Sequence, residues 1–379
     1  MKWNKKVIKV ISCSLLFAFL PLFLGIIFLP SLAYAISQAA VLFLLIEPGA
    51  RATGMGNSFT GIANDATAMY YNPAGLTQMK IGSAELSSVQ WLKSFTNDLF
   101  HRYVAASYSY PAIGTFGVSL TYLQLGEYAS MDEQGKIEKF KAYEYALSLG
   151  YAKKVDKNLS VGLAGKYIKS NLAAPGSDFG TATAWAVDIG ILYNNFAPDL
   201  CYKKKFLAGD FSQIFKWTRH RMPPGPSIGL SILNMGPKIS YGDRHQADPL
   251  PQNLRLGLAW NFFDTDLLGI IGSVDFRKLL VRPHGDKPAD EYYKAIFTSW
   301  QEEDVFNNVI ISAGLEISLF SLSSLRLGRY IDNEGKVKYW TIGLDFGAET
   351  ARLNLSYYMT DDDWCPLDET IIFSLSVAY

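Results

Sequence analysis

The sequence predicts an all-β protein, an antiparallel transmembrane β-barrel of about fourteen strands. Three observations carry this prediction. The chain begins with a secretion signal, and no later segment approaches the roughly 20 apolar residues that a membrane-spanning helix needs. From about residue 81 onward, apolar and polar residues alternate with a period of two. The connections between the predicted strands alternate between short and long.

Residues 1–35 are predicted to be a signal peptide that is removed on export. Lysines in the first nine residues precede an apolar stretch over residues 10–29, and the small-residue motif Ala33-Tyr34-Ala35 follows. A retained membrane-spanning helix is the alternative, but Pro21, Pro30 and the cleavage motif favour removal. The mature chain is therefore expected to begin near Ile36, outside the cytoplasm.

The composition excludes several classes of protein. Lys+Arg 35 equals Asp+Glu 35, so no excess of positive charge favours nucleic acid as a partner. Cys13 lies in the signal peptide, and the remaining Cys201 and Cys365 are too few for a disulfide scaffold and lack the spacing of a metal site. With 49% hydrophobic and 14% aromatic residues, a large secreted all-β protein and a membrane β-barrel both remain open.

The two-residue period identifies the strands. In "AYEYALSLGYAKK", for example, Tyr143, Tyr145 and Leu147 fall on one face, and Glu144 and Ala146 fall on the other. The pattern predicts fourteen strands of roughly ten residues, an even number as in bacterial barrels. They lie near 81–92, 100–110, 113–125, 142–153, 158–169, 181–193, 226–234, 252–262, 268–277, 307–317, 321–331, 337–346, 350–359 and 369–379.

The connections predict which end of the barrel faces which side. Short turns such as "PAIG" and "KVDKN" alternate with long polar loops, which matches periplasmic turns and extracellular loops. Residues 194–225 are atypically long for a periplasmic connection, and Phe211 to Trp217 suggest a short amphipathic helix there. This connection is either a periplasmic contact element or an insertion that caps the barrel floor. Cys201 and Cys365 then lie on opposite sides and are not expected to pair.

The C-terminal stretch "ETIIFSLSVAY" predicts a last barrel strand. Phe373, Leu375, Val377 and the terminal Tyr379 occupy alternate positions, and the chain ends on an aromatic residue. This arrangement resembles the signal that the outer-membrane barrel assembly machinery reads. An ordinary last strand of a soluble sheet is the alternative, and the signal peptide and strand count argue against it.

The charged residues of the strands are predicted to line the lumen. A charge on the lipid face at mid-depth costs about 2–4 kcal/mol, so these residues must point inward. Their mixed signs favour an interior network of ion pairs over an ion filter. The set comprises Glu144, Lys166, Asp188, Arg255, Asp275, Arg277, Glu316, Arg326, Asp345 and Arg352. No metal-like histidine pair and no G-x-S-x-G motif occurs, so neither enzymatic activity nor a cofactor is predicted.

The glycine-rich stretch "GARATGMGNSFTGIANDATAMYYNPAGL" follows an apolar run and raises the possibility of a dinucleotide-binding loop. Gly54 and Gly56 supply the first two glycines of G-x-G-x-x-G, but Phe59 stands in the third place. That third glycine lets a helix pack closely on its strand, and no βαβ unit follows here. The sequence therefore gives no nucleotide site.

The same stretch, from Pro48 to Met79, resembles the N-terminal signature of the PorV/PorQ family, outer-membrane barrels of the FadL superfamily. The shared features are the Gly-Ala-Arg run, Gly-Met-Gly, Asp65 and the Asn-Pro-Ala-Gly turn at 72–75. The segment from Leu233 to Trp260 is similar to the family's mid-barrel region. The long 194–225 connection departs from the family pattern.

The resemblance implies an N-terminal plug, or hatch, over residues 36–80 and a transmembrane barrel over 81–379. The residues agree with a plug: its glycines allow close approach and positive φ, Asp65 is a candidate N-cap of a helix over 66–72, and Pro73 ends that helix. Such a plug is expected to block the lumen while adding few charged side chains to it. The predicted plug residues are Gly49, Arg51, Gly54, Gly56, Asp65, Asn72, Pro73 and Gly75.

The resemblance implies an outer-membrane location in a Gram-negative-type bacterium and leaves two functions open. The first is a component of type IX protein export, with secretion-system proteins or exported cargo as partners. The alternative is FadL-like passage of hydrophobic small molecules, captured by loop residues Tyr128, Met131, Tyr292, Tyr293 and Trp300. Those aromatics also fit an interfacial girdle. A purely structural barrel, with only membrane lipid and the assembly machinery as partners, is a third possibility.

Overall fold

The structure is a computed structural model, and it describes most of the chain after the N-terminal segment. The described residues are 39–93, 96–131, 137–174, 180–204, 222–242, 247–265, 267–284, 288–301, 308–320, 322–347, 350–361 and 365–378. The predicted signal peptide, Tyr379 and the predicted helix around Phe211 lie outside these residues. None of the helices in the described part has the length and apolar character needed to cross a membrane.

Fourteen strands form one closed antiparallel barrel, as predicted. Each strand pairs with the next along the chain, and the seam closes between β1 and β15. Every predicted strand corresponds to an observed one, with ends that differ by a few residues. The strands are β1 Gly82–Gln90, β2 Phe100–Tyr110, β3 Gly114–Met131, β4 Ile137–Lys154, β5 Leu159–Asn171, β6 Thr181–Asn194, the short β7 Tyr202–Lys204 outside the barrel ring, β8 Gly225–Met235, β9 Asn253–Thr265, β10 Leu268–Leu279, β11 Val309–Leu319, β12 Ser323–Asp332, β13 Val337–Gly347, β14 Ala351–Thr360 and β15 Ile371–Ala378.

The side chains alternate between lumen and outer face along each strand. In β6, burial alternates strictly from Thr181 to Asn194, with Trp185, Val187 and Ile189 exposed on the outside. This follows from the pleat, which sends successive side chains to opposite faces. The outward residues are apolar because they face lipid, and the inward ones are small or polar.

The two ends of the barrel differ in the length of their connections. The short-turn end carries tight connections, such as residues 111–113 between β2 and β3 and residues 155–158 between β4 and β5. The long-loop end carries the connections 280–308 and 361–370. Cys201 and Cys365 belong to connections at opposite ends of the barrel.

The atypically long connection between β6 and β8 lies at the short-turn end. Its described part holds a 3-10 helix, Pro198–Leu200, and then β7, which pairs in parallel with the end of β9. The indole Nε1 of Trp260 donates to the Leu200 carbonyl at 3.4 Å. The described part therefore packs against the wall at β9.

Aromatic side chains form two clusters on the outer face, one towards each end. Towards the long-loop end, ring contacts link Tyr122, Tyr143, Tyr145, Tyr167 and Trp185. Towards the short-turn end they link Tyr108, Tyr110, Phe116 and Tyr151. Amphipathic rings of this kind settle at the two membrane–water boundaries, so the clusters mark the edges of the membrane-spanning band.

Two structured elements project at the long-loop end. Strands β3 and β4 continue as a hairpin beyond a register shift at Gln124/Gly126, with Tyr128 stacked on Phe140. Between β10 and β11 lies a short helix, Tyr292–Thr298. Hydrogen bonds from Thr298 and His284 hold the pKa of the nearby Asp290 carboxyl below its usual range.

Candidate functional site

The N-terminal segment before β1 lies inside the barrel, and almost every residue from Phe43 to Thr77 is buried. We call residues 39–80 the plug. It consists of a 3-10 helix Leu42–Leu45, a short helix Ala50–Gly54, a second short helix Ala68–Tyr71 and a 3-10 helix Pro73–Gln78. Short helices joined by tight turns let the segment fold back on itself within the width of the lumen.

The predicted glycines of the plug sit where a side chain has no space. Gly49 has φ +89°, and a Cβ there would stand 2.8 Å from Cγ2 of Thr67. Gly56 has φ +64°, and its Cβ would stand 2.6 Å from the backbone nitrogen of Arg329. Gly54 meets Gly343 of β13, and Gly75 meets Ala63 within the plug. Backbone conformation and close approach both require glycine at positions 49 and 56.

Arg51 ties the plug to the wall. Its Nε lies 3.1 Å from Oε2 of Glu316 on β11, and its Nη1 lies 2.6 Å from Asn64 and 3.1 Å from Asp65. The guanidinium also lies 5.2 Å from the ring centre of Phe59, the residue that breaks the dinucleotide motif. One side chain therefore holds together two parts of the plug and the wall.

Asp65 has a different role from the one predicted. The helix begins at Ala68 after Thr67, so Asp65 is not its N-cap. Its Oδ1 accepts the Thr67 backbone N–H at 3.0 Å, while Oδ2 faces Arg51. Asp65 lies two residues before the N-cap position, Thr67. Its carboxylate contacts both the buried Arg51 and the turn.

A second arginine continues the network into the wall. Arg326 on β12 is fully buried and donates to Glu316 at 2.7 Å and to Asp345. Arg352 reaches the same Asp345 at 3.0 Å. Three guanidinium groups (51, 326 and 352) thus face three carboxylates (65, 316 and 345), and the cluster is neutral overall. Buried charges persist only with such compensation.

The predicted Asn-Pro-Ala-Gly turn holds the other side of the plug. Asn72 is extended and stops the preceding helix, as predicted for the residue before a proline. Its Nδ2 donates to the carbonyls of Thr60, at 3.1 Å, and of Ile191 on β6, at 3.0 Å. Pro73 begins a 3-10 helix that is still inside the lumen, so β1 starts only at Gly82.

Nine strands each place one glycine against the plug, a feature that we call the glycine belt. At every position a Cβ would come within 3.0 Å of a plug atom. Eight of the nine face each other as four cross-strand pairs. The belt consists of Gly117, Gly150, Gly162, Gly190, Gly229, Gly257, Gly314, Gly328 and Gly343. At six of the nine the nearest plug atom is a backbone atom, and at Gly117, Gly150 and Gly190 it is a side-chain atom of Met69 or Asn72, so wall and plug are in close contact around much of the barrel.

Hydroxyl groups of the wall satisfy the plug backbone between the glycines. The Oγ atoms of Ser87, Ser374 and Thr341 accept the backbone N–H groups of Gly49, Ala50 and Gly56. Hydroxyls of Ser227, Ser231 and Ser273 donate to plug carbonyls. Asp275 accepts the N–H groups of Phe59 and Thr60 at 3.1 and 2.8 Å. These partners allow an irregular backbone to be buried.

Glu47 marks the transition from the packed plug to a chamber above it. It pairs with Arg277 on β10 and lies 3.6 Å from Arg255 on β9, and these two arginines are register partners. The Arg255 guanidinium stacks near the rings of Tyr70 and Tyr71, at 5.2 and 5.3 Å. Two cations thus share one carboxylate at this level.

The chamber is a cavity of about 480 Å³ at the long-loop end. Its floor is plug residues 42–47, and its wall is mostly Leu, Ile, Val and Trp side chains from the barrel and the loops. Polar groups at Glu47, Glu144, Arg277, Tyr330 and Asp332 interrupt this lining. Its size and largely apolar surface are those of small-ligand pockets.

The predicted inward charges all lie in the lumen. Nine of the ten are buried, and Arg352 is half-buried beside Asp345. Lys166 pairs with Asp188 at 3.1 Å, which is a further ion pair among the predicted inward charges. Sequence reasoning missed Glu47 and the glycine belt. The belt has a signal, because each strand carries a glycine in the inward phase, as in "TFGVSL", "VDIGIL" and "TIGLDF".

The last strand presents Phe373 and Leu375 to the outside, with Val377 half-buried and Tyr379 beyond the described residues. A clustering of three or more metal-ligating side chains is not found in the part of the chain that the structure describes.

A closed, plugged, fourteen-stranded barrel with aromatic clusters at both edges defines an outer-membrane β-barrel protein. A family model described as type IX secretion system protein PorV matches residues 33–286, more than half of the chain. The chain belongs to the PorV family, as the N-terminal signature predicted. No curated protein sequence is significantly similar to it.

One solved structure shares the fold, and two others are weaker matches. The toluene transporter TodX of P. putida is 11% identical, covers 86% of this chain and 97% of its own, and has a TM-score of 0.52. The toluene transporter TbuX of Ralstonia pickettii is 12% identical over 87% of this chain and 98% of its own, with a TM-score of 0.46. A Pseudomonas aeruginosa FadL homologue is 10% identical over 86% and 97%, with a TM-score of 0.43.

Proposed function

We propose that this protein serves type IX protein export as an outer-membrane barrel whose outer surface, and not its lumen, contacts the other proteins of the pathway. Membership of the PorV family supports the pathway. The observation that carries the proposal is the fixed plug. Ion pairs, wall hydroxyls and the glycine belt hold it at so many points that a polypeptide has no path along the barrel axis.

The contact surface in this proposal lies at the long-loop end. Phe297 of the loop helix is 73% exposed, and Tyr292 and Tyr293 beside it are also exposed. Tyr128 of the β3–β4 hairpin is half exposed as well. These rings lie in loops beyond the outer-face clusters, in water and not in lipid. Exposed aromatic groups of this kind mark protein contacts.

The proposal is tested by Tyr293→Ser with Phe297→Ser, which removes one face of the loop helix. We expect secretion of a type IX cargo protein to fall while the amount of folded barrel stays constant. Lys294→Ser, an exposed position on the same helix, is the matched control and should secrete normally. Unchanged secretion by the double variant would contradict a contact role for this surface.

The chamber favours a second candidate function, binding of a hydrophobic small molecule. It offers about 480 Å³ with a largely apolar wall, and TodX, whose solved structure resembles this one, is a toluene transporter. Leu123→Trp would fill the chamber from β3, whereas Leu147→Trp adds the same ring to the outer face of β4. We expect a fluorescent fatty-acid analogue to bind the parent and the Leu147 variant only. Equal binding by the Leu123 variant would exclude the chamber as its site.

We infer further that residues 1–35 are cleaved, that 36–80 form the plug and 81–379 the barrel, and that Phe373, Leu375, Val377 and Tyr379 guide barrel assembly. The role is one of contact and not of catalysis, with no cofactor or metal. N-terminal sequencing of the membrane-embedded protein should begin near Ile36. Deletion of Tyr379 should reduce the heat-modifiable folded form, and a normal yield would count against the assembly signal.

A further inference from the structure

A polar pocket of about 320 Å³ lies at the short-turn end, away from the plug network and the chamber. Three elements form it: plug residues 77–80 leading into β1, the β2–β3 turn at residues 109–115, and the end of β4 at residues 152–154. Lys80, Lys153 and Lys154 all line it. The fold thus brings three lysines from two distant parts of the sequence to one concave site.

These three lysines carry uncompensated charge. None forms an ion pair with a carboxylate in the described part of the chain, whereas Arg51, Lys166, Arg277 and Arg326 inside the barrel all do. Asp156 in the adjacent turn is exposed and does not line the pocket. Like charges held around a pocket favour an anion between them.

The aromatic cluster of the short-turn end places this pocket relative to the membrane. Tyr110 lines the pocket, and its ring packs 5.9 Å from Phe116, which packs 5.2 Å from Tyr151. Tyr151 in turn donates its hydroxyl to the Ile113 carbonyl of the lining turn at 2.7 Å. Such rings lie at the level of lipid head groups. The pocket therefore sits at the depth of the phosphates.

Exposed apolar side chains lie further along the outer wall on two of the strands that border the pocket, β3 and β4. Val118 on β3 and Leu149 on β4 are register partners, and both are exposed towards lipid. Acyl chains of a lipid whose head group occupies the pocket would lie along these side chains. A soluble anion would interact with the lysines but not with these apolar side chains.

We propose that the pocket binds the phosphate of an anionic glycerophospholipid in the membrane leaflet at the short-turn end. By the loop-length rule that end faces the periplasm. Lys80, Lys153 and Lys154 would surround the phosphate oxygens, and the aromatic cluster would hold the glycerol region. This inference does not depend on a role in export.

The test is titration of the full-length protein in detergent, followed by native mass spectrometry. Cardiolipin is the anionic probe, phosphatidylcholine the zwitterionic one, and inorganic phosphate the soluble one. We expect one cardiolipin to be retained, and each Lys→Gln change to weaken it about fivefold, the effect of one basic side chain at an anionic surface. Lys80→Gln, Lys153→Gln and Lys154→Gln together should weaken binding about 100-fold by the same rule.

Lys157→Gln is the matched control, since Lys157 is exposed at the same end but does not line the pocket. It should bind cardiolipin like the parent. Heat-modifiable migration identifies folded protein, and the single variant Lys80→Gln replaces the triple variant if the latter does not fold. Parent-like binding by the pocket variants, equal retention of phosphatidylcholine, or equal affinity for inorganic phosphate would overturn the proposal.

Discussion

Gly56 of the plug and Gly328 of β12 lie back to back, and neither has space for a side chain. A Cβ on Gly328 would stand 2.0 Å from the Gly56 nitrogen, and one on Gly56 would stand 2.6 Å from the Arg329 nitrogen. In both cases the obstructing atom is backbone, which cannot rotate away. The contact is therefore a direct measure of how tightly plug and wall fit.

Gly328→Ala is expected to displace the plug from β12. Overpacking of this kind usually costs about 1–3 kcal/mol in the free energy of unfolding. The loss is measured by urea unfolding of the protein in lipid vesicles, with protease cleavage within residues 48–58 as a local readout. Gly165→Ala is the control, because a Cβ there meets nothing within 4 Å. Equal stability of the two variants would show that the fit is loose.

Arg51→Met is expected to be costly because it leaves Asp65 without its arginine in a buried setting. Breaking one side of a buried ion pair typically costs about 3–5 kcal/mol. Adding Asp65→Asn should recover part of the loss, so a double-mutant cycle on unfolding free energies isolates the coupling. Lys139→Met breaks the exposed pair with Glu127 and should cost about 0–1 kcal/mol. A small effect at Arg51 would mean that water enters the lumen.

Leu149→Arg tests the membrane-spanning band. Leu149 is exposed on β4 between the two aromatic clusters, where an arginine should destabilise the barrel by about 2–4 kcal/mol. Val155→Arg, just beyond Tyr151 in the β4–β5 turn, is the control and should be nearly neutral. Both are compared by reversible unfolding in vesicles. A similar loss of unfolding free energy at both positions would mean that the edge of the membrane-spanning band does not lie between them.

The β14–β15 loop is expected to open at acid pH. Arg329 donates to Asp361 at 2.6 Å, and this hydrogen bond holds the pKa of Asp361 below its usual value. A lowered carboxyl pKa gives stability that is complete above the unfolded value of about 3.9 and lost as pH falls through the folded value. Hydrogen exchange in residues 365–370 should therefore rise below about pH 4. Asp361→Asn should show high exchange at every pH, and a parent loop that stays protected at low pH would contradict this.

The strands and the inward charges were predictable because both depend on a local period. The position of a residue in the two-residue period determines which face of the sheet its side chain is on. Arg326 and Asp345 were therefore placed in the lumen without knowledge of their partners. The plug was harder. We expected it to carry little charge, but Arg51 and Glu47 both enter the lumen with partners on the wall. Asp65 was predicted as an N-cap from its neighbours alone, and its bond to Arg51 is set by tertiary structure.

The inward glycines are visible in the sequence, but their contact with the plug and the chamber above it could not be derived from the pattern. A glycine in a strand usually indicates a weak point or a bulge, and only contact with the plug, with the Asn72 side chain at Gly190 and the Gly56 backbone at Gly328, explains these two glycines. The chamber depends on where the first plug helix stops, which leaves Leu42 and Glu47 as its floor. That position follows from packing between segments far apart in the chain.

The seam strands β1 and β15 both hydrogen-bond to the plug, through Ser87 to Gly49 and Ser374 to Ala50. Without the plug, the nine belt glycines would lose their contacts and Glu316 would lose Arg51, so we expect the empty barrel to be unstable. We therefore expect the N-terminal segment to serve as a template around which the strands assemble into the barrel. The segment before β1 would then set the curvature of a wall whose last strand, β15, begins almost three hundred residues after β1.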